Sequence, residues 1–216
     1  MRELQERDAT QPYCFECSPL LIVISGTSGA GKDSVIKALS RRMAAEGRPF
    51  HFVVTATTRP RREDEVDGVD YYFVSVKEFE RMIAQDELLE YAVVYDQYKG
   101  VPKKQVYDAM ASGKDVVMRL DVQGAATIHR IVPSAVLIFV TTCSEQELID
   151  RLSRRRTEGH QQLDVRIQTA REEMKRIHEF DYVVPNCDGK LSDAVGVIVS
   201  IITAEKHRAV PRQAKL

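Results

Sequence analysis

The chain has 216 residues, of which 44% are hydrophobic and 29% are charged, and its formal net charge at pH 7 is -1. Such a composition is typical of a globular protein with a full core, and it provides no general excess of positive charge for nucleic acid or an acidic membrane. No apolar run is long enough to span a bilayer, and the charged N-terminus resembles neither a signal peptide nor a transit peptide. We therefore expect a cytoplasmic protein, monomeric or homodimeric, with no nucleic-acid or membrane partner.

Apolar residues recur along the chain at spacings that predict short strands alternating with helices. In chain order we predict a tail-like N-terminal extension at 1–18, strand 20–25, helix 34–46, strands 50–54 and 70–74, helix 77–85, strand 88–95, helix 102–111, strands 115–120 and 135–140, helices 145–155 and 163–180, strand 182–184, helix 191–206 and a C-terminal tail at 208–216.

Buried aliphatic strands that alternate with helices indicate an α/β fold, with a parallel sheet covered by helices on both faces. One domain is expected from 19 to 207, with its core at 19–54 and 101–207. The segment 55–100 breaks the alternation, so we expect it to be a small β-rich insertion. A polar hinge between two predicted helices indicates a mobile helical lid at about 151–166.

A glycine-rich loop connects the first predicted strand to the first predicted helix. A strand, a glycine-rich loop and a helix, with a lysine in register, are the pattern of a phosphate-binding loop. The glycines let backbone N–H groups point inward at a phosphate, the helix adds the positive end of its dipole, and Lys32 can reach the outer phosphates. The residues predicted to bind phosphate are Gly26, Thr27, Ser28, Gly29, Ala30, Gly31, Lys32, Asp33 and Ser34. A glycine turn that binds nothing is the less favoured alternative.

Asp33 departs from the usual form of this loop, which has Ser or Thr after the lysine. The hydroxyl at that position usually binds Mg²⁺. A carboxylate is also a good ligand for this ion, although it adds negative charge beside the phosphates. Ser34 is the next hydroxyl, but it points about 100° away around the helix. We therefore expect Asp33 to take the metal role, directly or through water.

Two further segments concentrate arginine, the side chain suited to a bidentate grip on phosphate. The segment 55–73 carries three arginines among hydroxyls, acids and tyrosines, and its composition alone indicates a surface loop. The second cluster comprises Arg151, Arg154, Arg155 and Arg156, with Arg166 beyond the polar hinge. This pattern fits either a solvated helix face or a lid that brings arginines onto a transferring phosphate.

Asp121 follows the predicted buried strand 115–120. Open α/β sheets bind their ligands at the carboxyl ends of strands, and an acid there in a phosphate-loop protein often faces the metal. Asp121 is equally suited to cap a helix that begins at Val122, and the two roles are compatible.

The four cysteines form no complete metal-binding pattern. Cys14 and Cys17 make a C-x-x-C pair with no second pair nearby, so we interpret them as free thiols rather than zinc ligands. Cys143 and Cys187 lie near strand ends and are predicted to be small apolar fillers. This use of cysteine indicates an intracellular, reducing environment.

Together the motifs resemble the guanylate kinase family from about residue 20 to residue 206. Besides the phosphate loop, the resemblance rests on Thr57-Thr58-Arg59 with Arg62, Glu65-Val66-Asp67-Gly68-Val69-Asp70-Tyr71, Leu89-Glu90-Tyr91-Ala92, Leu120-Asp121-Val122-Gln123-Gly124, Arg151-Leu152 with Arg155, and Phe180-Asp181-Tyr182 followed by Asn186. A branch that includes organelle-type plant enzymes also carries Gly-Lys-Asp in the loop. The resemblance implies an α/β phosphate-loop NTPase core with a nucleoside-monophosphate-binding insertion and a helical lid.

The resemblance also implies roles for the residues that match the family's motifs. Lys32 and its loop would bind the phosphates of ATP. Arg59, Arg62 and Tyr71 would hold the phosphate of GMP, while Thr55, Glu90 and Asp121 would recognise guanine. The implied catalytic residues are Lys32, Arg59, Arg62, Arg151, Arg155 and Arg166, the last three being lid arginines. Two departures bear on the acceptor: Lys99 replaces the usual Tyr and can still contact phosphate, whereas Val101 replaces a hydroxyl and loses one base contact.

The implied reaction is ATP + GMP giving ADP + GDP, with dGMP as a further acceptor and ATP and Mg²⁺ as cofactors. Gly-Lys-Asp-Ser in the loop also resembles a related kinase acting on ribose 1,5-bisphosphate, but Glu90 and Asp121 suit a guanine base and have no clear use on a sugar. The other alternative is a catalytically silent binding module of this family. Such modules typically lose the loop lysine, which this chain retains as Lys32.

Overall fold

The computed structural model describes residues 18–63, 65–94, 97–154 and 160–214. The elements in these ranges are, in order, β1 (Leu21–Gly26), α1 (Lys32–Ala45), β2 (His51–Phe52), β3 (Ala56–Thr57), β4 (Tyr72–Phe73), α2 (Val76–Ala84), β5 (Leu88–Val94), β6 (Gln97–Pro102), α3 (Lys103–Ala111), β7 (Val116–Arg119), α4 (Val122–Ile131), β8 (Val136–Thr141), α5 (Glu145–Arg154), α6 (His160–Lys175), a 3-10 turn (Ile177–Glu179), β9 (Tyr182–Pro185) and α7 (Leu191–Lys206). None of the described helices is long and apolar enough to cross a membrane.

A five-stranded parallel sheet in the order β2-β7-β1-β8-β9 forms the centre of the fold. The central strand is β1, in which Val23 is paired with Met118 of β7 and with Leu137 of β8. Because successive side chains of a strand point to opposite faces, both faces of this sheet must be covered. Helices α1 and α7 cover the face that carries Ile22 and Ile24, and α3 and α4 cover the face that carries Val23. The predicted α/β class is therefore confirmed.

A second, four-stranded sheet in the order β4-β3-β6-β5 lies within residues 56–102, the segment that we call the insertion. Strand β6 pairs antiparallel with both β3 and β5, and β3 pairs parallel with β4. Helix α2 packs Phe79 against this sheet, with its ring stacked on Tyr98 at a centroid separation of 5.0 Å. Phe79 is buried together with Ala56 and Leu88, so the insertion has a small core of its own.

Two strands, β3 and β6, are absent from the sequence-based prediction, and α4 was predicted only as a helix that begins at Val122, with no end given. Strand β3 has only two residues, too few for a recognisable alternation. Strand β6 contains Lys99, Gly100 and Pro102, which weaken a strand pattern, and it forms because it is paired along both edges. Helix α4 has a glycine in its first turn, which lowers the helical signal. Conversely, α7 has the predicted bounds, because its apolar face is continuous over 16 residues.

The prediction for two cysteines was wrong. Cys143 and Cys187 are joined by a disulfide with a Cα–Cα separation of 5.2 Å. Cys143 is exposed and Cys187 is half-buried, so neither fills an apolar core. They do lie at strand ends, since they follow the neighbouring parallel strands β8 and β9. Cys14, Cys17 and the rest of residues 1–17 lie outside the described part of the chain.

Candidate active site

The loop between β1 and α1 has a backbone that requires glycine. At Gly26, with φ of 134°, an added Cβ would lie 1.8 Å from the carbonyl oxygen of Val140. Gly29 and Gly31 have φ of 88° and 81°, in the region that L side chains rarely adopt. Gly31 is the N-cap of α1 and has no side chain with which to occupy the first N–H groups of the helix. These groups are therefore available to an anion.

Lys32 lies in the first turn of α1 and folds back over the loop. Its Nζ donates hydrogen bonds to the carbonyl oxygens of Gly26 at 2.7 Å and Thr27 at 3.0 Å. Burial lowers the pKa of Lys32, while the nearby acids Glu173, Asp33 and Asp121 oppose this shift. The ammonium group is thus held at the loop in a partly desolvated site, where its charge acts strongly on a bound anion.

A carboxylate from α6 reaches the same loop. The Oε2 atom of Glu173 accepts a hydrogen bond of 2.8 Å from the backbone N–H of Ser28. Burial raises the pKa of Glu173, and the charge of Lys32 counteracts part of that rise. An acidic side chain bound to a loop amide shows that these N–H groups can bind an anion. Sequence analysis missed Glu173, because nothing in the helical pattern distinguishes it from its exposed neighbour Glu172.

Arg151 of α5 connects the lid side to the phosphate loop. It donates to Asp188 at 2.9 Å, to the carbonyl oxygen of Asn186 at 2.8 Å and to that of Ala30 at 3.3 Å, and it pairs with Glu147. The Nδ2 atom of Asn186 also donates to Ala30 O, at 2.8 Å. A cavity of about 310 Å³ opens here. Its lining includes Gly29, Gly31, Ser34, Arg151, Arg154 and Asn186.

Arg155 and Arg166 are the other two arginines that the sequence assigns to the lid. Arg166 lies on α6 and is half-buried. Arg155 lies outside the described residues. Their assignment to the lid remains a prediction.

The insertion brings a second group of cations towards the loop. Arg59 pairs with Glu65 at 2.6 Å, and its guanidinium lies 5.3 Å from the centroid of the Tyr71 ring. Arg62 is exposed, and its backbone N–H donates to Glu65. Burial lowers the pKa of Lys99, which interacts electrostatically with Asp121, Arg59 and Arg62. Lys32 also interacts electrostatically with Asp121, so the loop and this group of cations act on the same carboxylate.

Glu90 of β5 is a buried acid whose hydrogen-bonding capacity is incompletely used. Its residue is 6% exposed, and among the described residues its Oε2 atom has no hydrogen-bond partner. Burial, aided by the negative charge of Asp121, raises the pKa of Glu90 to about 8. Leaving a buried acceptor unpaired costs about 1–3 kcal/mol. A buried oxygen without a hydrogen-bond partner indicates that a donor is missing, and a bound ligand could supply that donor.

The residues around Glu90 restrict what can approach it. Gly124 of α4 lies so close that an added Cβ would be 3.3 Å from Glu90 Oε1. Asp121 caps α4, with Oδ1 accepting the N–H groups of Gln123 and Gly124 at 3.0 and 2.9 Å, as one of the two predicted roles requires. Thr55, which immediately precedes β3, is buried, and Val101 is fully buried. Val101 therefore serves the core of the fold.

Asp33 is not a free carboxylate. Its Oδ1 accepts a hydrogen bond from Nη1 of Arg119, the last residue of β7. Among the described residues no group of three or more His, Cys, Asp or Glu side chains is placed to hold a metal. An ion bound mainly by nucleotide phosphates needs only one or two carboxylates. Asp33 fits such an ion in that restricted sense, with Arg119 competing for its carboxylate.

Sequence analysis also missed Arg119, although a signal existed. A guanidinium at the end of a Val-Val-Met strand is unusual, since charged groups are rarely buried without a partner. The partner, Asp33, is 86 residues away in sequence. Only the parallel pairing of β1 with β7 brings the two together.

The glycine-rich loop follows the central strand of a parallel sheet, and its lysine begins the next helix. Arginines and a buried acid lie on the same side of the fold. These features define the class of phosphate-loop kinases that act on small molecules. The match is more specific than this class. The family model for guanylate kinase covers residues 18–205. The chain belongs to the guanylate kinase family of enzymes.

Individual relatives agree with this membership. "Guanylate kinase 2, chloroplastic/mitochondrial" of Oryza sativa subsp. japonica is 51% identical over 205 residues, covering 94% of this chain and 70% of the relative. A guanylate kinase of Latilactobacillus sakei is 43% identical over 89% of this chain and 92% of its own. The crystal structure of guanylate kinase from Anaplasma phagocytophilum superposes with a TM-score of 0.73 at 26% identity, covering 90% of each chain.

Proposed function

We infer that the chain is an ATP:GMP phosphotransferase that converts ATP and GMP into ADP and GDP in purine nucleotide metabolism, with dGMP as a second acceptor. The observation that carries this inference is the buried Glu90 carboxylate with its unpartnered Oε2 atom, as seen among the described residues. Guanine presents two adjacent donors, N1–H and the 2-amino group, which one carboxylate can accept together. Adenine and a sugar phosphate lack this pair of donors.

The donor phosphates of ATP are assigned to the loop at 26–34. The positive φ angles of Gly29 and Gly31 and the helix N-terminus support an anion there. Lys32 would exchange its two carbonyl partners for phosphate oxygens, and Arg151 would close from α5. Arg155 and Arg166 complete the proposed lid.

The acceptor phosphate is assigned to Arg59, Arg62, Tyr71 and Lys99. Arg59 is now paired with Glu65 at 2.6 Å, so a phosphate would replace or share that carboxylate. Thr55 and Asp121 would assist Glu90 at the base. The cations lie where the phosphate is proposed to bind, and the acids lie where the purine is proposed to bind. This separation of charge supports a single orientation of GMP.

The chemistry required of these residues is positional and electrostatic. The attacking group is a phosphate oxygen of GMP, which is already ionised near neutral pH, so no general base is needed. The loop and the insertion bring two polyanions together, while Lys32 and the arginines neutralise charge during transfer. Mg²⁺ bound with ATP supplies further positive charge. Asp33 would hold this ion, directly or through water.

A coupled ADP-release assay with a panel of acceptors tests this proposal. We expect turnover with GMP and with dGMP. With AMP we expect at least a 1,000-fold lower kcat/KM, because a site built around paired donors strongly rejects a ligand that lacks them, by roughly 10⁴–10⁵ in favourable cases. Turnover with ribose 1,5-bisphosphate alone would indicate the sugar-phosphate kinase. The absence of ATP binding by calorimetry would indicate a silent binding module.

We propose small-molecule nucleotides as the partners, a monomer or homodimer in solution, and the cytoplasm as location. The rice relative carries "chloroplastic/mitochondrial" in its name, so imaging of a C-terminal fluorescent fusion should distinguish cytoplasm from organelle.

A further inference from the structure

Arg119 brings a guanidinium group into the junction between the central sheet and the insertion. Its side chain is only 10% exposed, and the three residues before it in β7 are fully buried and apolar. Burying a charged group is costly unless its donors are used and its charge is compensated. The groups that Arg119 contacts therefore indicate the structural role of this buried charge.

These partners belong to two different parts of the fold. Nη1 donates to Asp33 Oδ1 in the first turn of α1, and Nη2 donates to the backbone oxygen of Asp70 in the insertion at 3.0 Å. The guanidinium carbon also lies 4.5 Å from the centroid of the Tyr71 ring. One side chain thus connects the phosphate loop helix to the backbone and the aromatic ring of the insertion.

The Tyr71 ring is contacted by two guanidinium groups, from Arg119 at 4.5 Å and from Arg59 at 5.3 Å. Arg59 is itself part of the insertion, whereas Arg119 belongs to the central sheet. Cation–π contacts are stronger when the cation is desolvated, as the buried Arg119 is. The position of Tyr71 relative to the phosphate loop therefore depends on Arg119.

We propose that Arg119 is a positioning residue for the acceptor phosphate and that Asp33 is its anchor. The proposal rests on the proposed function, because it takes Tyr71 as a ligand of the GMP phosphate. It also explains the aspartate at position 33, where the phosphate loop usually has a hydroxyl. Ser or Thr there would leave a buried guanidinium without its carboxylate.

The test measures GMP binding by calorimetry without ATP or metal, followed by KM and kcat. Arg119→Lys keeps the charge but loses the planar fork and most of the stacking. Loss of one such contact corresponds to at least about a tenfold weaker Kd and a similarly higher KM for GMP. We expect the Kd of ATP, measured separately, to change by less than about threefold, since Lys32 and the loop amides remain intact.

Lys37→Met is the matched control. Lys37 also links α1 to Asp70, at 3.1 Å, but its side chain is 60% exposed. Exposed ion pairs contribute little because solvent screens them, so we expect less than about a threefold change in GMP binding. Equal effects of Lys37→Met and Arg119→Lys would overturn the proposal.

Asp33→Ser provides a variant that does not alter the buried side chain. Asp33 is 56% exposed, so this variant should fold even if Arg119→Lys does not, and circular dichroism will verify it. We expect weaker GMP binding, and a less than additive loss when Arg119→Lys is added, because the two changes share the Arg119–Asp33 pair. Unaltered GMP binding in folded Asp33→Ser would refute the anchor. A wild-type chain that binds no GMP would instead refute the proposed function.

Discussion

Glu173 accepts a 2.8 Å hydrogen bond from the backbone N–H of Ser28, so a carboxylate of α6 is bound to the loop proposed to hold the phosphates of ATP. The same carboxylate interacts electrostatically with Lys32. A negative group at this point opposes the binding of a triphosphate. It also links occupancy of the loop to the position of α6.

Glu173→Gln should strengthen ATP binding. Glutamine keeps an acceptor for Ser28 N–H but removes the charge, and two unit charges about 4 Å apart repel by about 1 kcal/mol in water. We expect a roughly fivefold lower Kd for ATP by calorimetry without GMP. Glu172→Gln, an exposed neighbour that pairs with Lys175, should leave the Kd unchanged. Weaker binding by Glu173→Gln would mean that the carboxylate supports the loop.

Gly124→Ala should impair recognition of GMP without lowering stability. The new Cβ would lie 3.3 Å from Glu90 Oε1, so the carboxyl group would have to shift. We expect KM for GMP to rise about tenfold, a change of about 1.4 kcal/mol, with an unchanged Kd for ATP. The thermal midpoint should hold or rise, because alanine favours a helix over glycine by about 1 kcal/mol.

Gly196→Ala is the control for this substitution. Gly196 is also helical, in α7, and its added Cβ would make only an ordinary contact at 3.5 Å with Arg42. Each variant replaces a helical glycine with alanine, but only the alanine at position 124 would contact Glu90. A normal KM for GMP in Gly124→Ala would contradict the proposed base site.

The affinity for GMP should increase with pH. Burial raises the pKa of Glu90 to about 8, so the free enzyme carries a largely protonated, neutral Glu90 at pH 7. The proposed complex needs the ionised form, which accepts both guanine donors. Below about pH 8 the proton must be released on binding, so the Kd should fall by up to about tenfold per pH unit between pH 6 and 8 and then level off.

The variant Glu90→Gln separates this effect from titration of the nucleotide itself. Calorimetry of both proteins in buffers of different ionisation enthalpy will count the protons released. We expect proton release near pH 7 from the wild type beyond that seen with Glu90→Gln. Equal release from the two proteins would exclude Glu90 as the titrating group.

Lys32→Met should abolish most phosphoryl transfer. Lys32 is the only cation in the loop segment 26–34, and removal of one preorganised charge from a transition state typically costs about 10²–10³ in kcat. The thermal midpoint should change little, because the Nζ contacts are to two loop carbonyls. Lys37→Met, further along α1 and exposed, should retain activity. An Lys32→Met enzyme within tenfold of wild-type kcat would be inconsistent with the proposed role.

Local sequence patterns were sufficient to predict the elements whose own residues have a distinctive spacing. The strand, loop and helix around Lys32 have a glycine spacing that few other structures need, and α7 has an uninterrupted apolar face. The segment around β6 lacked such a pattern, because Lys99, Gly100 and Pro102 are stabilised only by neighbouring strands.

The site itself was only partly accessible from sequence. Glu90 and the arginines were found through motif order, whereas the partners that define their chemistry were not. Arg119 meets Asp33 across 86 residues and Glu173 meets Ser28 across 145. Such contacts depend on strand order and on the path of α6, which no local pattern encodes.

Glu90 lies on β5 of the insertion, whereas Gly124, which lies against its carboxyl group, is in the first turn of α4 beside the central sheet. The enzyme would then select the purine only while the insertion is in contact with α4. An enzyme held open would admit any nucleotide of suitable size, and one held shut would release its product slowly. The contact between the insertion and α4 would therefore govern both the choice of purine and the rate of turnover.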